Sequence, residues 1–372
     1  MTRIKTAVAL FAGLVFAAVS VAAQAQVASP NETARYLAGF EPEAGSALAK
    51  FAKDANWQQH QRSFETAWKE LDKRQISKII PWTDENLKSP ARPLFYMFSG
   101  PDFLYANAFF PNATTYLMAG LEPVGPIPQV NDRSRYSLAN LRASLQTILN
   151  ISYFITADMS SRLHHGDLKG TLPILYTFLA RSGKTIQDVE LVSVDKDGKV
   201  APTPQGPAAR NAPRADQGVK IVFTSEGGRS QTLYYFSTDL SDSGTKASGF
   251  LKFAEKLGAG DALVKSASYL LHGGNFARVR DFLLNNAQTI AQDDTGIPVR
   301  FFKKEDWLLK PYGAYLGPIP IFEGMYQPQM QVLFRQNKVP KLDFGVGYRW
   351  RGFDSNFVVA VKKNIVAQQK AD

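Results

Sequence analysis

One stretch of about thirty residues constrains the fold of this chain more than any other. Residues 94–98 form an apolar run with the length of a buried strand, and residues 114–119 form a second one. Between them, residues 99–102 combine turn-forming residues with Asp102, a candidate N-cap for the helix predicted over 103–110. Strand, helix and strand in this order predict a βαβ unit, with a crevice at the carboxyl ends of its parallel strands.

The pattern downstream predicts that this unit belongs to a larger mixed sheet. A strand over 262–268, a helix over 275–288 capped by Asn275 and a strand over 289–292 repeat the same order. Three alternating segments predict an antiparallel meander, at 189–194, 219–224 and 231–237. We therefore predict an α/β fold: a Rossmann-like mixed sheet with helices on both faces, an antiparallel addition and an N-terminal helical segment.

Other segments complete this prediction. Helical spacing of apolar residues predicts a long helix over 136–163 and a shorter one over 246–257. Residues 312–318 are aromatic and rich in glycine, which predicts a loop. Residues 342–348 and 357–361 have strand character, and we predict that these two segments pair with each other.

The N-terminus predicts the compartment. Arg3 and Lys5 precede an apolar stretch over residues 7–22, and Ala-Gln-Ala follows at 23–25. This is the pattern of a cleaved signal peptide, so a periplasmic or secreted mature chain is expected to begin at Gln26. The alternative is an uncleaved anchor, for which the apolar run is short. The chain has no cysteine, which excludes cysteine lipidation and disulfides.

Composition divides the mature chain into two predicted parts. We predict an N-terminal helical segment over residues 26–90 and an α/β domain over 91–372. Within that domain, residues 199–218 are rich in Pro, Ala, Gly and Arg, which predicts a mobile surface loop. Beyond the signal segment, no run of 18 uncharged apolar residues occurs, so we expect no membrane span in the mature chain.

The positive charge of the chain restricts its partners only weakly. The formal net charge is +10, but Lys and Arg are spread along the chain without a run of five. Such a surface could attract anionic lipids or acidic glycans, or could serve solubility alone. We expect as partner a small polar ligand or an anionic component of the cell envelope, and no nucleic acid. The oligomeric state is left open.

Familiar catalytic and metal-binding motifs are absent. The sequence has no G-x-S-x-G elbow and no H-E-x-x-H pair. Gly183-Lys184 ends like a phosphate-binding loop, but Phe178 stands where the first glycine would be. His164 and His165 are adjacent, so on a helix they point about 100° apart and cannot readily share one metal. We therefore expect no metal and no cofactor.

The candidate site residues are predicted by position, because ligands bind outside the carboxyl ends of parallel strands. These candidates are Ser99, Asp102, Glu122, Ser266, Tyr269, His272, Asp293 and Asp294. Each also has a structural alternative: Asp102 could only cap a helix, residues 294–296 could only form a turn, and Glu122 could only pair with an arginine. If Asp102 is only a cap, Asp102→Asn should cost little stability, because asparagine caps helices nearly as well.

Two hypotheses for the function follow. In the first, the crevice of an exported or envelope-associated protein binds a small polar ligand or a glycan. In the second, a hydrolase or transferase without a familiar motif uses Asp102, Glu122, His272 and one of Asp293 and Asp294 for acid–base chemistry. The first is preferred, because the spacing identifies no pair of nucleophile and base.

Two resemblances bear on these hypotheses. The order of strand, Ser-Gly-Pro-Asp turn at 99–102, helix, strand and Glu122 resembles the first half of a class I methyltransferase, which implies a Rossmann-like fold and an acid that binds ribose. This similarity covers about thirty residues and lacks the glycine triplet of that family. The segments 98–111, 265–272 and 292–298 are similar to an uncharacterised family of exported bacterial proteins. That resemblance implies export and no particular activity.

Overall fold

A computed structural model describes most of the chain. The described residues are 27–87, 90–154, 166–203, 216–336 and 338–368. The predicted signal peptide, residues 1–25, and the predicted mature N-terminus Gln26 lie outside them. Within these ranges, no helix is both long and apolar enough to cross a bilayer.

The described residues form a mixed sheet of ten strands. The strands are Leu94–Tyr96 (β1), Thr115–Gly120 (β2), Thr185–Val194 (β3), Val200–Pro202 (β4), Asp216–Thr224 (β5), Ser230–Ser237 (β6), Gly260–Val264 (β7), Ala287–Gln292 (β8), Trp307–Gly313 (β9) and Asn356–Lys362 (β10). Their order across the sheet is β4-β3-β5-β6-β2-β1-β7-β8-β10-β9.

The centre of the sheet is parallel and both sides are antiparallel. The pairs β6–β2, β2–β1, β1–β7 and β7–β8 are parallel, whereas every pair outside this centre is antiparallel. Counted along the chain, these five parallel strands lie in the order 3-2-1-4-5. This is the start of the order found in doubly wound Rossmann sheets, and it confirms the predicted fold class.

Helices cover both faces of the sheet, as predicted. The α-helices in the described ranges are Pro30–Leu37 (α1), Ala49–Ala52 (α2), Ala55–Leu71 (α3), Ser77–Asn86 (α4), Phe103–Phe109 (α5), Ser134–Ile151 (α6), Leu172–Arg181 (α7), Asp242–Ala247 (α8), Phe250–Lys256 (α9), Ala277–Asn286 (α10), Pro328–Gln336 (α11) and Lys363–Gln368 (α12). A π-helical turn, Asp72–Ile76, joins α3 to α4. Short 3₁₀ segments occur at Leu270–His272, Gly274–Phe276, Val299–Phe301 and Pro320–Met325.

Two apolar clusters, one on each face, hold the sheet between the helices. In β1, Leu94 and Tyr96 join the cluster beneath α1–α7, whereas Phe95 joins the opposite cluster beneath α9 and α10. Neighbouring side chains of a strand point to opposite faces, so a strand buried on both faces has an unbroken apolar sequence. This is why the apolar run at 94–98 predicted a central strand.

One predicted strand pair is wrong. Residues 342–348 do not form a strand, and β10 pairs instead with β9. Most of β9 precedes the segment predicted as a loop, and only its last two residues lie within that segment. Pro311 in β9 weakened the strand signal, but proline is tolerated in an edge strand, which β9 is. At 342–348 the chain turns: Gly347 has a φ of +56°, which the left-handed region allows for glycine.

Other boundaries also differ from the prediction. The strand predicted over 262–268 ends at Val264, because Ser266 has a φ of +54° that breaks the ladder. The helix predicted over 246–257 divides into α8 and α9, and Asn275 provides no side-chain cap for α10. The loop predicted over 199–218 is too long, since β4 and the start of β5 lie within it, and residues 204–215 are outside the described residues.

Candidate functional site

The direction in which successive strands are added to the sheet reverses at β1, and a crevice lies there. From β1 the chain builds β2 and β6 on one side and later β7 and β8 on the other, so the loops that follow β1 and β7 diverge. Such a switch point is where open α/β sheets bind ligands. Two adjoining cavities of about 450 Å³ and about 200 Å³ occupy this crevice, and we call them the large and the small chamber. Both are lined by Phe98, Gly100, Glu122, Ser266 and Ser268.

Asp102 is fixed in the wall of the large chamber by three partners. Its Oδ1 accepts the backbone N–H of Tyr105 at 3.1 Å, which confirms the predicted N-cap of α5. Its Oδ2 accepts the hydroxyl of Tyr96 at 2.8 Å and lies 3.0 Å from Nζ of Lys265. Burial raises the pKa of the Asp102 carboxyl, and these three partners oppose that effect. Asp102 therefore has a structural role as well as a place on the wall.

Lys265 is the most important residue that sequence reasoning missed. Its side chain is 1% exposed, its Nζ donates to the carbonyl of Ser152 at 2.5 Å, and it lies 4.2 Å from the ring centre of Tyr105. A lysine that directly follows the apolar strand β7 was the available signal, because a cation at that position must enter the core or the crevice. Here Lys265 joins the loops that follow β1 and β7.

Ser99 connects the loop after β1 to the end of β2. Its hydroxyl accepts the N–H of Ala119 at 3.2 Å and donates to the carbonyl of Gly100 at 2.7 Å. A second contact reaches the Ala119 carbonyl at 3.3 Å. These bonds use the hydroxyl within the protein, so Ser99 shapes the crevice wall.

Glu122 lies where the two chambers meet. The hydroxyl of Tyr235 donates to its backbone carbonyl at 2.8 Å and approaches its Oε2 at 3.4 Å. The carboxylate lies over two glycines: a Cβ atom at Gly120 would stand 2.4 Å from Oε2 of Glu122 and 3.0 Å from Cα of Gly100. Glycine at these positions makes room for an acid that lines both chambers.

Ser266 is held from behind by Asp293. The Ser266 N–H donates to Asp293 Oδ2 at 2.9 Å, and Oδ1 of the same carboxylate accepts the N–H and hydroxyl of Thr295. Among the described residues, the Ser266 hydroxyl has no hydrogen-bond partner. Asp293 therefore fixes the loop after β7 without lining either chamber.

Asp293 and Asp294 are buried neighbours with raised pKa values. Burial, together with repulsion from Asp294, raises the pKa of the Asp293 carboxyl to about 6. Burial also raises the pKa of Asp294, although its carboxylate accepts the hydroxyl of Tyr269 at 2.6 Å and lies 3.8 Å from Nε of Arg349. The pair therefore forms a layer of buried carboxyl groups beneath the crevice, in which burial disfavours the charged form.

His272 lies in this deeper layer. Its ring contacts Tyr269 edge-on with 5.0 Å between ring centres. Burial lowers the His272 pKa to about 4, so the imidazole is neutral near pH 7.

Of the eight candidates, four line a chamber, namely Ser99, Asp102, Glu122 and Ser266. Asp293 does not line a chamber but accepts a hydrogen bond from Ser266, which does. Tyr269, His272 and Asp294 form the layer beneath.

An aromatic wall of the large chamber was also missed from the sequence. Tyr153 and Tyr348 meet edge-on with ring centres 4.7 Å apart, and Phe322 lies 6.1 Å from Tyr348. The Tyr348 hydroxyl is 2.7 Å from that of Ser268, whose φ is +50°. These rings come from three distant segments, so no local pattern could have grouped them.

We expect Asp293→Asn to change how stability depends on pH. The folded pKa of about 6 lies above the usual 3.8, so the folded state retains this proton while the unfolded state loses it. Ionisation of Asp293 therefore removes stability as pH rises from about 4 to about 6. His272, whose pKa is lowered, makes stability rise with pH over this window, and it does so in wild type and in Asp293→Asn alike.

The measurement is urea unfolding of both proteins at a series of pH values. The stability of Asp293→Asn relative to wild type should increase from pH 4 to pH 6, whatever constant difference the lost hydrogen bonds introduce. A difference that stays flat over that range would contradict the raised pKa.

The site contains no evident metal centre, and comparisons assign it no relatives. Among the described residues, no three or more histidine, aspartate or glutamate side chains are arranged to hold a metal ion. No protein-family model, no curated protein and no solved structure matches the chain.

Proposed function

We propose that the crevice binds a small ligand with neighbouring hydroxyl groups, such as a sugar. The observation that carries this proposal is the place of Glu122, a buried carboxylate at the junction of the two chambers. A carboxylate accepts two hydroxyl donors at once, and hydrogen bonds to a charged group are stronger than neutral ones. Glu122 follows β2, beside the turn after β1, where doubly wound folds hold the hydroxyls of ribose.

The aromatic wall supports the same proposal. Tyr153, Phe322 and Tyr348 line the large chamber together with polar side chains such as Glu122 and Ser266. Binding sites for small molecules typically combine apolar and aromatic walls with a few polar groups that set the orientation. At about 450 Å³, the large chamber has the size of such a site.

We expect Glu122→Gln to weaken binding of a hydroxylated ligand by roughly 10- to 100-fold, the equivalent of about 1.5–3 kcal/mol for a charged hydrogen bond. The measurement is calorimetric titration with a panel of methyl glycosides and nucleosides. Glu226→Gln is the matched control, because Glu226 lies in the exposed turn between β5 and β6 and should leave affinity unchanged. Failure of the whole panel to bind, or equal affinity in Glu122→Gln and wild type, would disprove the proposal.

A hydrolase or transferase is the second candidate, and strained backbone favours it. Ser266, Ser268 and Tyr269 have φ values of +54°, +50° and +57° in a single turn beside the crevice. Strain of this kind clusters at active sites. Turnover of ester, phosphate or glycoside substrates that is lost in Ser266→Ala would support an enzyme, whereas binding without turnover would leave the binding protein.

We also propose that the mature protein acts outside the cytoplasm and begins at Gln26. The support is the basic, apolar and Ala-Gln-Ala series over the first 25 residues. Mass spectrometry of a periplasmic or culture fraction should find Gln26 as the N-terminal residue. Recovery of the full-length chain from the inner membrane would contradict this prediction.

A further inference from the structure

The two chambers differ in chemistry. The large chamber is lined by the ion pair of Asp102 and Lys265 and by Tyr153 and Tyr348. Apart from the residues that line both chambers, the small chamber is lined by the apolar side chains of Met97, Leu121, Leu240, Ala267, Leu270 and Phe276, and by Gly120, Thr238 and Asp239. A ligand that fills both chambers therefore meets more polar and charged side chains in the large chamber and more aliphatic side chains in the small one.

Exposed aliphatic side chains line both chambers. Leu121 is 70% exposed and Leu270 is 38% exposed, and both line the small chamber. Ile321, which is 81% exposed, lines the large chamber. Single exposed apolar residues are common, but three from separate segments that line two adjoining chambers favour a binding role.

We propose that the natural ligand is an amphiphile, with a hydroxylated head in the large chamber and a short unbranched apolar chain in the small one. This inference rests on the proposed function, because both proposals place a hydroxylated head group against Glu122 at the junction of the chambers. The small chamber, about 200 Å³, is below the usual size of a site for a complete drug-sized molecule and suits a short alkyl chain. The chain passes Leu121 and Leu270 on its way to solvent.

The test compares two probes that share a head group, methyl and hexyl β-D-glucopyranoside, at concentrations below micelle formation. Each CH₂ group that enters the small chamber should strengthen binding by up to about four-fold, the factor equivalent to about 0.8 kcal/mol. The expected result is clearly tighter binding of the hexyl glucoside, measured by calorimetric titration of the intact protein.

Two variants assign that gain to the chamber. Leu121→Ser combined with Leu270→Ser should remove most of the advantage of the hexyl glucoside over the methyl glucoside. Val27→Ser is the matched control, because Val27 is 79% exposed and does not line either chamber. Glu122→Gln should weaken both probes by the same factor.

The outcomes separate the two proposals. Equal affinity for the two glucosides, or a hexyl advantage that survives in the double leucine variant, would overturn the amphiphile and leave the sugar site standing. Binding of neither glucoside would overturn the amphiphile, and the wider panel would then decide the sugar site. The double leucine variant could keep the hexyl advantage but no longer sediment with phosphatidylglycerol vesicles. Leu121 and Leu270 would then contact a membrane, and the inference would be wrong.

Discussion

Replacing Asp102 by asparagine is expected to lower the free energy of unfolding by about 3–5 kcal/mol, the usual cost of removing one partner of a buried ion pair. Lys265 and Asp102 are 1% and 2% exposed, so the ammonium group left behind could not reach solvent. The carbonyl of Ser152 and the ring of Tyr105 would remain as its contacts, and neither carries the opposing charge.

Urea unfolding of three variants, compared with wild type, would test this expectation. Asp54→Asn is the matched control, because Asp54 also caps a helix, α3, through an exposed bond to the N–H of Asn56. It should cost well under 1 kcal/mol, since asparagine caps nearly as well as aspartate. The double change Asp102→Asn with Lys265→Met should recover part of the loss, because it removes the second charge as well. Equally small losses at Asp54 and Asp102 would show that Lys265 needs no counter-charge.

The sequence alone predicts Asp102 as a helix cap, for which Asp102→Asn should cost little stability. The cap itself is a local feature, set by the turn at 99–102 and the N–H of Tyr105, so it could be predicted and is confirmed. The ion pair joins residues that lie 163 positions apart along the chain, and no spacing rule links them. A structural role inferred from local sequence was therefore correct but incomplete.

The same distinction explains which parts of the fold were predicted. The strands β1 and β2 are buried on both faces, so their sequences are unbroken apolar runs that identify parallel strands. The pairing of β9 with β10 joins partners that lie 43 to 55 residues apart, from Gly313 with Asn356 to Trp307 with Lys362, and Pro311 obscures the strand. Register and partner choice at the antiparallel edge are therefore tertiary properties.

The site follows the same rule. Glu122 and Ser266 could be predicted as crevice residues because each follows a central strand, and the ends of parallel strands share one edge of the sheet. Tyr348 and Gly347 could not, because their segment was predicted as a strand and its approach to the crevice is set by long-range packing. Four of the eight candidates line the chambers, while Asp293 and Asp294 hold the loop after β7, to which Tyr269 and His272 belong.

Gly347 should be the second most sensitive position, and Gly347→Ala is expected to cost about 2–5 kcal/mol. A φ of +56° is unfavourable for alanine by roughly 1–2 kcal/mol. In addition, a Cβ atom there would stand 2.1 Å from Oδ2 of Asp293 and 2.8 Å from Oγ of Ser266. Forcing an extra carbon into packed surroundings typically costs a further 1–3 kcal/mol.

The Asp293 carboxylate cannot easily yield to that carbon, because its two oxygens hold the N–H groups of Ser266 and Thr295. Gly258→Ala separates the two effects, since Gly258 has a φ of +82° with nothing within 4 Å of its added Cβ. Urea unfolding should show only the backbone cost at Gly258 and a larger loss at Gly347. If Gly347→Ala folds, displacement of Asp293 should release the Ser266 N–H and weaken sugar binding, whereas Gly258→Ala should bind as wild type does. Equal losses of stability at the two glycines would mean that the contact with Asp293 does not constrain this loop.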